Sequence, residues 1–208
     1  MYRKSLVYFT RLCAVAAFSA VGCSALQAKD LPVYAPLVVT GAAEAPIGYV
    51  QFCSDLPEEC RDVQGRGRRV VLNQKTWADL ERINLEVNAE ISPATDLDLF
   101  GVLEYWTLPD IAGDCEDYVL LKRKRLIAAG WPAEALLVTV VRDDKGEGHA
   151  VLTVVTDKGD YALDNQRDDI RPWQTTQYSF VKRQSQYDVN RWVYVGAPDT
   201  VVGVASTR

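Results

Sequence analysis

At Gly130-Trp131-Pro132 the chain changes texture, and that change restricts its possible folds more than any other feature. Upstream, apolar residues recur mostly at helical spacing; downstream, they gather in short Val-, Tyr- and Leu-rich runs separated by turn residues. Glycine tolerates the left-handed conformation that ends a helix, and proline cannot continue one. Before this stop, TWADLERINLEVNAEI carries Trp77, Leu80, Ile83, Leu85, Val87 and Ile91, with Thr76 as a possible N-cap. DLDLFGVLEYWTLP follows and reads as a loop with apolar anchors, and a second helix is expected from Cys115 to about Ala129, capped by Asp114 or Gly113. After the stop, strands are expected at 136–142, 149–156, 160–165, 178–184 and 191–196, with DDKGEG and DKG as hairpin connections. Helices first and an antiparallel sheet second give an α+β domain. Residues 29–48 read as an extended lead-in and 61–70 as a basic loop. No internal repeat or linker divides 29–208, which is expected to be one domain.

Residues 1–28 have a different character. MYRKSLVYFTR is basic, LCAVAAFSAVGCSAL is apolar, and Cys23, Ala25 and Ala28 are small residues of cleavage-site type, the pattern of a signal peptide. AVGC ending at Cys23 is a weaker match to a lipoprotein box, which would anchor the chain there. Export to the periplasm is the expectation, with no transmembrane segment after signal removal. Without the leader, 20 basic face 28 acidic side chains, a formal −8. That charge excludes nucleic acid as a natural partner, since phosphate contacts need clustered Lys and Arg. KRKR at 122–125 accordingly reads as a solvated helix face with long-stem packing. Of the three cysteines beyond the leader, Cys53 and Cys60 enclose a short loop that an oxidising compartment favours as a disulfide. Cys115 is then the odd thiol, either buried and inert or reactive by design.

The chain has one histidine, His149, and therefore one candidate imidazole base. Cys115 is expected at a helix start, where free N–H groups and the helix dipole favour a thiolate. His149 is expected at a strand start and Asp164 at the end of the next strand. Adjacent antiparallel strands can bring those two together, so the imidazole could take the thiol proton while the carboxylate fixes its tautomer. Asp114, Glu116 and Asp117 crowd the cysteine and oppose its activation, because neighbouring carboxylates raise a thiol pKa. They admit two readings. They are helix-start acids serving as caps, or oxygen ligands of a hard cation, with Ca²⁺ the natural choice outside the cytoplasm.

GDCEDYVLLKRKRL, GEGHAVLTV and the strand ending LDN together resemble the bacterial transglutaminase-like cysteine proteinases, across roughly residues 46–196. The resemblance implies a papain/transglutaminase-like fold, with N-terminal helices and a helix-start nucleophile packed on an antiparallel sheet. It implies Cys115 as nucleophile, His149 as general base and acid, and Asp164 as orienting carboxylate. Its LapG-like periplasmic branch is calcium-dependent, which implies Asp114 and Glu116 as metal residues and Asp117 as a further ligand. That branch also implies a protein substrate such as a surface adhesin, and an inhibitory membrane receptor. The resulting expectation is a Cys-His-Asp peptidase. Transglutaminase or amidase chemistry on the same residues, and a catalytically idle calcium-binding interaction module, are the alternatives.

Overall fold

The Val-rich runs after Pro132 pair as the sequence suggests, and they form the centre of the molecule. In a computed structural model that describes residues 32–61 and 65–196, the chain order begins with β1 (Val39–Ala43), α1 (Ile47–Asp55), α2 (Gln74–Glu90) and β2 (Ser92–Pro93). It continues through α3 (Asp96–Phe100), β3 (Ala112–Gly113) and α4 (Cys115–Ala128) to β4 (Leu136–Arg142), β5 (Gly148–Thr156) and β6 (Gly159–Leu163). The last strands are β7 (Arg171–Pro172), β8 (Ser179–Gln184) and β9 (Trp192–Val195). The expected leader and the alternative lipid anchor at Cys23 lie outside the described residues. No helix among the described residues is long and apolar enough to cross a membrane.

Seven strands form one antiparallel sheet in the order β1-β9-β8-β4-β5-β6-β7. β4 and β5 are buried on both faces, which explains why LLVTVVR and HAVLTVVT do not alternate cleanly between apolar and polar. On one face, Val138, Val140, Ala150, Leu152 and Val154 belong to a core shared with α4 and α2 through Val119, Leu126, Leu80, Ile83 and Val87. The other face holds a smaller core of Leu37, Val141, Val151, Ala162, Phe180 and Val195. Leu37 is tied there by its N–H, which donates to Asp160 Oδ2 at 2.9 Å.

Local chemistry sets several boundaries away from the expected ones. Asn73, not Thr76, caps α2: Asn73 Oδ1 accepts from the Lys75 and Thr76 N–H groups, while Thr76 Oγ1 accepts from Asn73 N. The lead-in contains β1, an edge strand recruited by β9, and runs into α1, which starts directly after Pro46. The segment read as a loop contains α3, capped by Thr95 and stopped at Gly101 with φ +73°. DKG closes the β5–β6 hairpin, with Gly159 at φ +112°. Cys53 and Cys60 form a disulfide between α1 and the following 3₁₀ turn, Pro57–Cys60.

KRKR divides in two. Lys124 and Arg125 lie on the outside and pair with Glu59 and Glu90, but Lys122 is fully buried and Arg123 nearly so. Arg123 Nε donates to the Leu136 carbonyl at 3.0 Å, so half of the expected solvated face is inside the protein.

Candidate active site

Cys115 begins α4, wholly buried against the sheet. Its thiol donates to Glu116 Oε2 at 3.1 Å, and the Ala150 backbone N–H donates to its sulfur. Burial pushes the Cys115 thiol well above its ordinary range, and the Glu116 and Asp114 carboxylates push it further; the Ala150 N–H works weakly the other way. As it stands, this is a protonated thiol. The sequence reading expected that opposition from the flanking acids.

Ala150 follows His149 at the start of β5, so the strand that touches the sulfur also carries the imidazole. His149 Nε2 and Asp164 Oδ1 are 2.9 Å apart, and Nδ1 is buried with no hydrogen-bond partner. The register pairs Leu152 with Leu163, so Asp164 lies one residue beyond β6 and reaches back to His149. Asp164 is held on both oxygens: Oδ1 accepts from Gln166 N at 3.0 Å and Oδ2 from the Tyr178 hydroxyl at 2.5 Å. Burial alone would raise this carboxyl. The His149 bond and charge, with the Tyr178 and Gln166 bonds, outweigh it and hold Asp164 below its usual range. The Tyr178 ring stands edge-on to the imidazole at 5.5 Å, and its phenol is driven strongly upward by burial and by the Asp164 charge, so it stays a donor. Tyr178 was not anticipated as part of the site; a tyrosine at the start of an expected strand carries no signal of its own.

Around Cys115 is an acidic enclosure. Asp114 occupies the N-cap position of α4 but makes no capping bond through its side chain. Instead, ligand oxygens of Asp96, Asp114 and Glu116 lie within 4.8 Å of one another, all three residues buried. One oxygen of each (Asp96 Oδ1, Asp114 Oδ1 and Glu116 Oε1) is buried with no partner. Asp117 is not in that group: its Oδ1 accepts from Thr107 N at 2.8 Å, and its Oδ2 is a further buried orphan. Burial raises all of these carboxyls. The Asp114 charge adds to it at Asp96, which stands at about 6, and at Asp117, which stands at about 8 although the Thr107 N–H pulls it down. Glu104, bonded to Trp106 Nε1 at 2.6 Å, is lifted by burial to about 7. Asp96 was missed because its segment reads as a loop, and only folding brings it beside Asp114. Orphaned, desolvated carboxylate oxygens grouped this closely fit a hard cation such as calcium, which takes oxygen ligands. They do not fit a softer metal, because the single histidine is bound to Asp164.

The site is closed to solvent. Beside it, Leu99, Phe100, Leu108, Pro109, Ile111 and Ala112, with Thr107 and Asp110, line an open and mostly apolar pocket that runs from α3 to β3, next to the turn that leads into Cys115. Phe100 and Ile111 are 46% and 78% exposed, well above what a core position permits.

Residues 39–200 match the family model of the bacterial transglutaminase-like cysteine proteinases. Among solved structures, the chain is similar to calcium-bound Legionella pneumophila LapG at 23% identity and a TM-score of 0.50, covering 62% of this chain and 76% of that one. Two other LapG structures from that organism, one EGTA-treated, align at 25% and 26% identity with TM-scores of 0.46 and 0.45. In those two alignments this chain covers 63% and 62% of LapG, less than two thirds of its length. The likeness to the calcium-bound form is one of fold. No curated protein matches the chain.

Proposed function

The chain belongs to the bacterial transglutaminase-like cysteine proteinases, and from that premise we propose that it hydrolyses peptide bonds through Cys115, His149 and Asp164. The observation that carries this reading is the His149–Asp164 pair, which commits Nε2 and leaves Nδ1 unpartnered beside the strand residue whose N–H reaches the Cys115 sulfur. His149 Nδ1 takes the thiol proton as the sulfur attacks the substrate carbonyl. The same nitrogen gives that proton to the leaving amine as the C–N bond breaks, leaving a thioester. A water then loses its proton to Nδ1 and attacks the thioester, which releases the acid and restores the thiol. Asp164 keeps the imidazole in one tautomer and stabilises its charged form, with Tyr178 and Gln166 holding Asp164 in place. The Cys115 N–H at the helix start is the natural donor to the developing oxyanion.

Asp96, Asp114 and Glu116 would hold calcium, with Asp117 just outside them and oriented by Thr107. A bound cation supplies the positive charge that offsets three buried carboxylates. Glu116 would then no longer serve as the acceptor that keeps the thiol protonated. The apolar pocket suits a substrate with apolar side chains near the scissile bond. An extracytoplasmic protein, a surface adhesin among them, is the substrate class that fits an exported, acidic peptidase, and an inhibitory membrane receptor remains part of this reading.

Mass spectrometry of candidate protein substrates tests it. Hydrolysis gives fragments whose summed mass exceeds the substrate's by one water, and Cys115→Ala abolishes them. Crosslinked products that have lost ammonia would establish the transglutaminase alternative. Unchanged substrate with calcium present and the fold intact would favour an idle binding module.

A further inference from the structure

β8 carries Arg183 near its end, beyond Tyr178 and about 16 Å along the strand from it. The side chain is 4% exposed. Its Nη1 donates to Asp160 Oδ2 at 3.1 Å, while Nε is buried with no hydrogen-bond partner. Asp160 is itself shared: the same Oδ2 accepts from the Leu37 N–H at 2.9 Å, and Oδ1 faces Arg69 Nη1 at 3.5 Å. Two arginines thus divide one carboxylate, which leaves positive charge in excess inside the protein. Buried charge that is only partly compensated destabilises a fold.

Arg183 also lines a cavity of about 160 Å³, together with Val39 of β1, Val193 of β9 and Tyr187 in the turn after β8. A cavity of about 150 Å³ holds a benzene molecule, so this one takes a ring or a short branched chain. None of its lining residues is acidic. Its amide nitrogens are committed elsewhere, Gln184 Nε2 to the Tyr49 hydroxyl and the Val189 carbonyl, and Gln186 Nε2 to the Arg68 and Glu134 carbonyls. The Ser185 hydroxyl accepts from the Tyr187 N–H and keeps its hydrogen to donate. The cavity therefore presents mostly apolar walls, one hydroxyl and an arginine short of an anion.

We propose that this cavity binds a carboxylate carried on a compact apolar body, the carboxylate on Arg183 and the body between Val39, Val193 and Tyr187. A guanidinium is a planar fork that matches the two oxygens of a carboxylate, and the bound anion supplies the compensation that Asp160 divides between two partners. Few polar groups set in apolar walls are the usual make-up of a small-molecule site. A free aromatic or branched monocarboxylate and the C-terminal carboxylate of a peptide ending in an apolar residue present this same chemistry. The inference does not depend on the reaction at Cys115.

Calorimetric titration of benzoate into the protein at low salt tests the proposal, with benzamide as the uncharged control. Benzoate should bind one to a chain, and benzamide about tenfold more weakly, because a charge-assisted hydrogen bond is roughly twice as strong as a neutral one. In the ¹⁵N-labelled wild-type protein, benzoate should shift the amide signals of Val39, Ser185 and Val193 and leave that of His149 in place. Val193→Phe fills the cavity without touching Arg183 or Asp160, and should lose the binding while staying folded. Acetyl-Gly-Phe, as free acid and as amide, separates the two sources. A free acid that binds at least as tightly as benzoate assigns the site to chain ends, and a weaker one assigns it to free carboxylates. The proposal is overturned if neither benzoate nor the free-acid peptide binds, or if benzamide binds as tightly as benzoate. Amide shifts confined to residues outside the cavity, or undiminished binding in folded Val193→Phe, overturn it as well.

Discussion

Burial and, after it, Glu116 hold the Cys115 thiol protonated. Glu116 Oε2 accepts the Cys115 thiol proton at 3.1 Å while its other oxygen has no partner, so the residue opposes ionisation as long as its charge is unbalanced. With chelator present, Glu116→Gln should therefore raise the alkylation rate of Cys115 at neutral pH, because a neutral amide replaces a group that pushes the thiol up. The same substitution should weaken calcium binding. An unchanged rate in chelator would show that the carboxylate does not control the thiol. Cys115 and His149 stood out in the sequence as scarce residue types at expected element ends, and Asp164 stood out only by its place at the end of the strand after His149. Asp96 and Tyr178 did not, because their roles come from contacts that only folding makes. An aspartate after Thr95 and a tyrosine at the start of an expected strand resemble surface residues until the fold sets one beside Asp114 and the other against Asp164.

At the level of elements, the turn from β3 into α4 brings the acids and Cys115 together. A Cβ on Gly113 would meet Asp117 Oδ2 at 2.5 Å and Asp117 Cβ at 2.8 Å, so only glycine lets Asp117 fold back over β3 and accept from Thr107. Gly113→Ala should cost about 1–3 kcal/mol of stability by overpacking and should loosen the nucleophile's turn. Urea unfolding and calcium titration of the variant would check both effects; wild-type midpoints in each would refute the steric argument. The strands after Pro132 and the span of α4 could be read from periodicity and from the Gly-Trp-Pro stop. β1 and α1 could not. VTGAA becomes a strand only because β9 offers it an edge, and IGYVQFCSD has no side-chain cap to mark its start. α3 is a single capped turn, too short for a 3.6-residue period to show.

For the whole molecule, the buried acids link stability to pH. Asp96 at about 6 and Asp117 at about 8 are raised above ordinary carboxylate values, so in metal-free protein the folded state favours their protonated forms. Their contribution is fully present below about pH 4 and is lost as pH rises to about 8. Calcium needs the ionised forms, so the melting-temperature increase it gives should grow between pH 5 and pH 8, as differential scanning fluorimetry with calcium and with EGTA would read. An increment independent of pH would remove these carboxylates from the metal site. Activation of the thiol by His149, inside an acidic enclosure that calcium neutralises, is read from the alkylation rate of Cys115 against pH. The protein for this test spans residues 29–208 with the Cys53–Cys60 bridge formed, so Cys115 is its one free thiol. With calcium, the thiol should react as a thiolate well below its unperturbed value of about 8.5, and either EGTA or His149→Ala should abolish that low-pH reactivity. A thiol that stays unreactive at neutral pH with calcium bound and the fold intact would contradict the account.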